Sequence, residues 1–270
     1  MKRFPFHFLF VFLIIPNSTQ ALELYRAGAR SAALGNTGVT FTGADALFQN
    51  PAGIAGTDKF TFLLSSESRF LMKELSVLAT GIVVPTKAGT AGFSYIRFRA
   101  GVYHISRTTA SFAKHFGERL SVAVAFNSLS ERYPEQARAS PAITAETGLQ
   151  FRVNKQLSGG LWVFHPVPDK IIKNQSSLFT VLRAGTSWSL NSGLNLTEEI
   201  RFTQGEKPVI SAGLEINLHP EVVFRVGWAS QPMSISGGIG FKLGKTALDI
   251  SFYHHAYLGL TPVAGFTFTP

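Results

Sequence analysis

The chain has 270 residues, no cysteine and a formal net charge of +9 at pH 7. The lack of cysteine excludes a disulfide framework and a thiolate metal site. Charged residues make up 15% of the chain, below the ~25% of an average soluble domain, whereas the hydrophobic fraction is an ordinary 45%. This combination disfavours a soluble enzyme, and the scattered basic residues argue against nucleic acid as a partner.

The first 21 residues have the features of an export signal. Lys2 and Arg3 form a charged start, residues 6 to 15 are apolar, and small residues lie just before and at Ala21. The apolar stretch is too short for a membrane-spanning helix, and no later segment offers about 18 consecutive apolar residues. We therefore expect a signal peptide over residues 1–21, and any membrane residence of the remaining chain must use β-strands.

Residues 22–58 differ from the rest of the chain in composition, because they are rich in Gly and Ala and lack a two-residue alternation. Asp45 is expected to cap a short helix from Ala46 to Gln49. Pro51 is expected to stop that helix. The sequence predicts a separate N-terminal unit here.

From residue 59 to the C-terminus, polar and apolar residues alternate in short stretches. Such alternation is typical of strands with one face in lipid and the other in water. Most stretches have the roughly 9 to 11 residues that a tilted strand needs to cross a bilayer. The predicted strands lie near residues 59–68, 74–84, 89–97, 102–115, 119–130, 141–153, 156–165, 178–190, 193–204, 208–218, 221–229, 232–243, 246–256 and 260–268.

The connections differ in length according to their order. Short turns follow even-numbered strands, and most of the longer connections, above all Glu131 to Ser140 and Pro166 to Ser177, follow odd-numbered strands. Outer-membrane barrels show this pattern, with short turns on the periplasmic side. The prediction is an all-β protein whose residues 59–270 form a transmembrane antiparallel β-barrel of about 14 strands, surrounded by outer-membrane lipid, with both termini in the periplasm. A soluble β-sandwich is the alternative, but its strands would be shorter.

The polar faces of the strands are expected to point into the barrel. Six glycines on these faces would let the N-terminal segment approach closely: Gly148, Gly185, Gly213, Gly227, Gly238 and Gly240. Charges of both signs share the same faces, so they can pair across the lumen or with the N-terminal segment, where Arg30 is expected to meet a carboxylate. A solvated polar wall is the alternative. The predicted lumenal charges are Glu146, Arg152, Arg183, Glu199, Arg201, Glu215, Arg225, Lys242 and Asp249.

Part of the outer wall does not suit hydrocarbon. Both faces of the fourth strand are polar near its middle, and on the ninth strand Glu198 interrupts an apolar series. A β-bulge at residues 198–199 would explain the ninth strand but not the fourth. The sequence thus predicts a wall that faces a partner protein, formed by His104, Ser106, Arg107, Thr108 and Glu198.

Signals for catalysis are weak. His254 and His255 lie near Asp249 and Ser251, but adjacent residues of a strand point to opposite faces. No metal-ligand spacing, nucleophile elbow or phosphate loop occurs. We expect a protein that is not an enzyme and has no cofactor or metal.

Two motifs in the N-terminal segment, GARSAALG from Gly28 to Gly35 and NPAG from Asn50 to Gly53, resemble the N-terminal signature of the FadL-type outer-membrane family. The resemblance is greatest to its PorV- and PorQ-like branch, associated with Bacteroidetes protein secretion. It implies a 14-stranded barrel with an N-terminal hatch in the lumen. The residues that carry it are Gly28, Arg30, Gly35, Asn50, Pro51, Ala52 and Gly53.

The resemblance implies two functions. One is an accessory subunit of a larger outer-membrane complex for protein secretion of type IX or for assembly. The other is transport of small hydrophobic molecules. The short outer loops and the polar inner faces favour the accessory subunit, since a hydrophobic ligand would need an apolar path inside the barrel.

Overall fold

The computed structural model describes residues 26–132, 141–166 and 178–270. The predicted signal peptide, residues 22–25 and most of the two longest connections lie outside the described residues. Within the described ranges, no helix combines the length and the apolar character needed to cross a membrane.

Fourteen antiparallel strands form a closed barrel, which confirms the predicted fold. Each strand pairs with its neighbours in sequence, and β1 pairs with β14 to close the wall. The observed bounds differ from the predicted ones by three residues or fewer. The strands are β1 (Thr61–Ser68), β2 (Leu75–Thr86), β3 (Gly89–Ala100), β4 (Tyr103–Phe116), β5 (Leu120–Arg132), β6 (Ala142–Arg152), β7 (Leu157–Phe164), β8 (Val181–Asn191), β9 (Leu194–Thr203), β10 (Val209–His219), β11 (Val222–Ser230), β12 (Met233–Leu243), β13 (Thr246–His255) and β14 (Gly259–Phe268).

The two ends of the barrel differ. At the end where β1 begins and β14 finishes, here the terminal end, adjacent strands are joined by tight turns such as residues 87–88 and 244–245. The longer connections, between β1 and β2, β5 and β6, and β7 and β8, lie at the opposite end, here the loop end. In outer-membrane barrels the end with the short turns faces the periplasm.

The N-terminal segment lies inside the barrel and is called the hatch below, for its described residues 26–57. It contains helix α1 (Ala29–Ala33) and two 3₁₀ helices, Ala44–Phe48 and Pro51–Gly56. One local prediction was wrong: Asp45 lies within the first 3₁₀ helix and does not cap it. That helix ends at Phe48, before Pro51, and Pro51 begins the second one. Proline suits a first helical position because the N–H it lacks would have no partner there.

β2 to β5 are longer than the rest of the wall, with 12, 12, 14 and 13 residues. A strand of 9 to 11 residues suffices to cross a bilayer. Because β2–β5 exceed this length, their loop-end residues rise above the apolar band of the barrel. The polar outer face near the start of β4 follows from this extension.

One residue of the predicted outer wall was placed wrongly, and the β-bulge offered as an alternative explanation of Glu198 does not occur. Arg107 points into the lumen, because Ser106 and Thr108 on either side of it face outward and side chains alternate along a strand. It is only 2% exposed and lies 3.9 Å from the Glu146 carboxylate. At Glu198 the strand register is continuous with both neighbouring strands, so no bulge occurs and this carboxylate faces outward.

Candidate functional site

The hatch lies against glycines of the inner wall. A Cβ at Gly213 would come within 2.6 Å of the Leu34 Cβ, and a Cβ at Gly227 would overlap the Gly35 nitrogen. Gly35 itself has a left-handed φ of 68° and lies against the Trp228 backbone. Three more of the six predicted glycines also face the hatch: Gly148 lies against Asn50, Gly185 against Val39 and Gly238 against Ala33. The sixth, Gly240, faces the side chains of Asp249 and Arg225 of the wall.

Arg30 joins the hatch to the wall through Glu215. Its Nε and Nη2 donate to the two carboxylate oxygens of Glu215 at 3.0 and 3.1 Å, and its Nη1 donates to Asp45 at 3.2 Å. Arg225 also donates to Glu215, at 2.7 Å, and to Asp249. Two guanidinium groups therefore meet three carboxylates, one of which belongs to the hatch. Arg30 meets a lumenal carboxylate, as the sequence predicts.

Glu199 holds the hatch backbone. Its carboxylate accepts the N–H groups of Gly38 and Val39 at 2.9 and 3.0 Å. Arg183 donates to the same carboxylate at 2.5 and 2.9 Å and to two oxygens of Gln49 at 3.3 and 3.2 Å. Arg183 has no exposed surface, so these bonds compensate a charge that is removed from water.

The NPAG motif has a structural reason. Asn50 is fully buried, donates to the Val39 carbonyl at 2.7 Å and accepts the Ala52 N–H at 3.1 Å. Gln150 of β6 donates to the Val39 and Phe41 carbonyls at 3.0 and 2.7 Å. The motif thus shapes a bend in the hatch and fixes that bend to the wall.

The remaining predicted lumenal charges occupy inward positions with different surroundings. Glu146 pairs with Arg107 in the loop half of the barrel. Arg201 is 5% exposed, whereas Arg152 and Lys242 are exposed to solvent at the terminal end of their strands.

The inner face of β1–β4 carries a set of apolar residues among polar ones such as Ser65, Ser94 and Arg107. The sequence alone does not reveal this set. Its side chains pack into one buried cluster with Phe41, Leu47, Phe48 and Ile54 of the hatch. β2 is apolar on both faces, so alternation alone could not show which face lines the lumen. We call these wall residues the apolar track: Leu63, Val77, Ala79, Val83, Ile96, Phe98 and Ile105.

The apolar track reaches the loop end, where the β1–β2 connection covers it. The Arg69 guanidinium lies 5.0 Å from the centre of the Phe98 ring and pairs with Glu67 at 2.8 Å. The Tyr253 hydroxyl donates to the same Glu67 carboxylate at 2.9 Å. The Phe70 N–H donates to the hydroxyl of a wall threonine on β14 at 3.0 Å. Residues 69–71, here called the loop cover, are therefore bonded to residues on both sides of the β1–β14 pairing that closes the barrel.

A vestibule of about 450 Å³ opens at the terminal end, below the hatch. Its lining includes Arg30, Asp45, Glu215, Lys242 and Asp249, together with several small and apolar residues. The ion pairs that hold the hatch are thus reached from this end of the barrel.

The fold is similar to that of solved outer-membrane channels. The CymD monoaromatic hydrocarbon channel matches with a TM-score of 0.68 at 14% identity, over 93% of this chain and 99% of the channel. The P. putida toluene transporter TodX matches with a TM-score of 0.65 at 10% identity, over 92% of this chain and 99% of the transporter. The Acinetobacter baumannii outer membrane protein Omp33 matches with a TM-score of 0.52 at 8% identity, over 78% and 98%.

No protein-family model and no curated protein matches the chain. A PorV- or PorQ-like branch is not shown by these comparisons. TodX and CymD are channels of the FadL-type outer-membrane family. At identities this low the likeness shows the fold alone, so the chain has the fold of the FadL-type hydrocarbon channels.

Proposed function

We propose that this protein resides in an outer membrane and carries small, uncharged hydrophobic molecules across it, along the apolar track of β1–β4. The observation that carries the proposal is the continuous buried apolar cluster that runs from the loop end to the hatch. The sequence analysis favoured an accessory subunit because it found no such path.

The two halves of the lumen differ in what they can bind. An aromatic ring the size of a Phe side chain gains about 1.5 to 3 kcal/mol when apolar side chains bury it fully. The wall of β8–β13 offers ion pairs and polar groups, which such a ligand could only leave unsatisfied. A hydrophobic molecule therefore moves along the apolar track and not along the wall of β8–β13.

The hatch is held unequally by the two halves. On the polar side, directional bonds to Glu199 and Glu215 fix it in place. On the apolar side, Leu47 and Phe48 only pack against the track, and such contacts are not directional. We infer that a ligand displaces the packing contacts while the ion pairs keep the hatch attached to the wall.

Each end of the path has a defined boundary. At the loop end a ligand must move the loop cover away from Phe98. At the terminal end it enters the vestibule below the hatch. The comparison with CymD and TodX, whose names describe a hydrocarbon channel and a toluene transporter, supports the same class of ligand.

The test uses entry of a hydrophobic fluorescent probe, N-phenyl-1-naphthylamine, into cells of a Gram-negative host that produces the protein. Ile96→Thr keeps a β-branched residue but places a hydroxyl on the track, and entry should fall about fivefold because an unpaired hydroxyl repels an apolar ligand. Ile210→Thr makes the same change on the outer wall and should leave entry unchanged. Equal entry in both variants, with both barrels folded by heat-dependent gel mobility, contradicts the proposal.

A second candidate is the accessory subunit of a larger outer-membrane complex. Glu198 supports it, because this carboxylate faces outward from the middle of β9 and is costly there in contact with lipid. A photo-crosslinker at Glu198 should then capture a protein from native membranes, whereas one at Leu214 should capture lipid. Lipid adducts at both positions would leave transport as the only supported function.

A further inference from the structure

A basic surface occupies the outer wall of β3–β5 at the loop end. Arg99, His104 and Arg132 lie side by side in the register of three adjacent strands. Arg97 lies one outward position below Arg99. The three arginines are exposed, and His104 is half-buried. We call these four residues the basic rim.

Hydroxyl groups extend the basic rim toward β1 and toward the middle of β4 and β5. One register row continues from Arg99 to Ser76 of β2 and Ser68 of β1. The row below joins Arg97 to Ser106 and Ser130. Five adjacent strands at about 4.8 Å each make this surface about 19 Å wide.

Carboxylates do not offset these charges on the wall itself. The acidic residues at the loop ends of β1 and β5, Glu67 and Glu131, occupy inward positions. Lys73 and Glu74 lie in the connection that precedes β2, and their charges cancel. The two described register rows therefore present three positive charges, a histidine and hydroxyls to the outside.

Outward aromatic residues lie farther down the same wall, below Arg97 on β3 and below Ser130 and Ser128 on β5. Tyr95, Phe93 and Phe126 face outward there and are 37%, 50% and 66% exposed. On β12 and β14 the first outward positions at the loop end are apolar, Met233 and Leu260. The basic rim thus occupies one part of the barrel circumference, at the loop-end edge of the apolar outer wall.

We propose that the basic rim binds the phosphate groups of a phosphorylated glycolipid of the outer leaflet, whose acyl chains lie on Phe93, Tyr95 and Phe126. Arginine guanidinium groups form paired hydrogen bonds with phosphate oxygens, and serine hydroxyls add further donors. A molecule with anionic groups above acyl chains matches a surface with basic groups above apolar side chains. The site lies on the outer wall and is separate from the transport path.

The test measures binding of fluorescent lipid A to the purified full-length chain in detergent, with diphosphorylated lipid A and the same lipid without phosphates. The wild-type protein should prefer the diphosphorylated form by at least about tenfold. The combined variant R97Q/R99Q/R132Q should lose this preference, and R97K/R99K/R132K should keep most of it. K87Q/K155Q/K245Q removes the same charge at the terminal end and should bind like the wild-type protein.

Excess inorganic phosphate should leave the lipid bound, since the acyl chains contribute to binding. Equal binding of the two lipids by the wild-type protein overturns the proposal without any variant. Unchanged binding by R97Q/R99Q/R132Q also overturns it, as does displacement of the lipid by inorganic phosphate, which would indicate a site for free anions.

Discussion

Glu215 is one of the two wall carboxylates that hold the hatch. It accepts hydrogen bonds from Arg30 of the hatch and from Arg225 of the wall. The sequence predicted that Arg30 would meet a carboxylate, because mixed charges on inward faces require partners. It could not predict the orientation of Arg107, because both faces of β4 are polar there and a shift of one residue reverses every side chain.

Glu215→Gln should loosen the hatch. The variant leaves Arg30 and Arg225 facing each other with one negative charge fewer, and breaking such a pair costs about 3 kcal/mol. Amide hydrogen exchange over residues 26–57 should become about a hundredfold faster, since local opening sets the exchange rate. Glu118→Gln, in an exposed turn at the terminal end, should not change the exchange rate. Identical exchange in the two variants would show that Glu215 does not hold the hatch.

At the scale of the elements, alternation predicted strand positions well but could not assign every face. β10 and β12 alternate strictly, and their outward apolar faces were assigned correctly. β2 carries apolar residues on both faces, so the sequence alone could not show which face points into the lumen. The short helix predicted for residues 46–49 begins earlier, at Ala44, and Asp45 pairs with Arg30 instead of capping it, a contact between residues distant in sequence.

The loop cover should act as a barrier to entry. Arg69→Ala removes the guanidinium above Phe98 and its pair with Glu67, contacts that together contribute about 1 kcal/mol. Probe entry into producing cells should rise about fivefold. Lys73→Ala changes an exposed residue of the same connection and should have no effect. An equal rise in both variants would indicate a general loosening of the connection and not a specific cover.

At the scale of the whole molecule, the apolar track and the ion pairs that hold the hatch lie on different sides of the lumen, and the hatch lies between them. The 14 strands and the hatch followed from alternation, connection lengths and the family resemblance. The division of the lumen did not, because it depends on which faces of neighbouring strands share one side of a closed wall. The transport proposal depends on that division.

Removal of the hatch should open the barrel. Deletion of residues 28–53 removes the groups that fill the lumen between β1–β4 and β8–β13 and should give a larger single-channel conductance in planar bilayers. A wall of 14 paired strands remains closed without the hatch. Conductance equal to that of the full-length protein would show that the hatch does not block the lumen.

The transport path can be tested most directly with a photoreactive hydrocarbon. A small uncharged aromatic diazirine, bound to the purified full-length protein and activated by light, should label track residues such as Val77, Ile96, Phe98 and Ile105. Excess toluene should suppress this labelling, and the carboxylate analogue of the probe should not produce it. Labelling confined to outward residues such as Ile235 and Ile250, or to the vestibule, would contradict a hydrophobic path through the barrel.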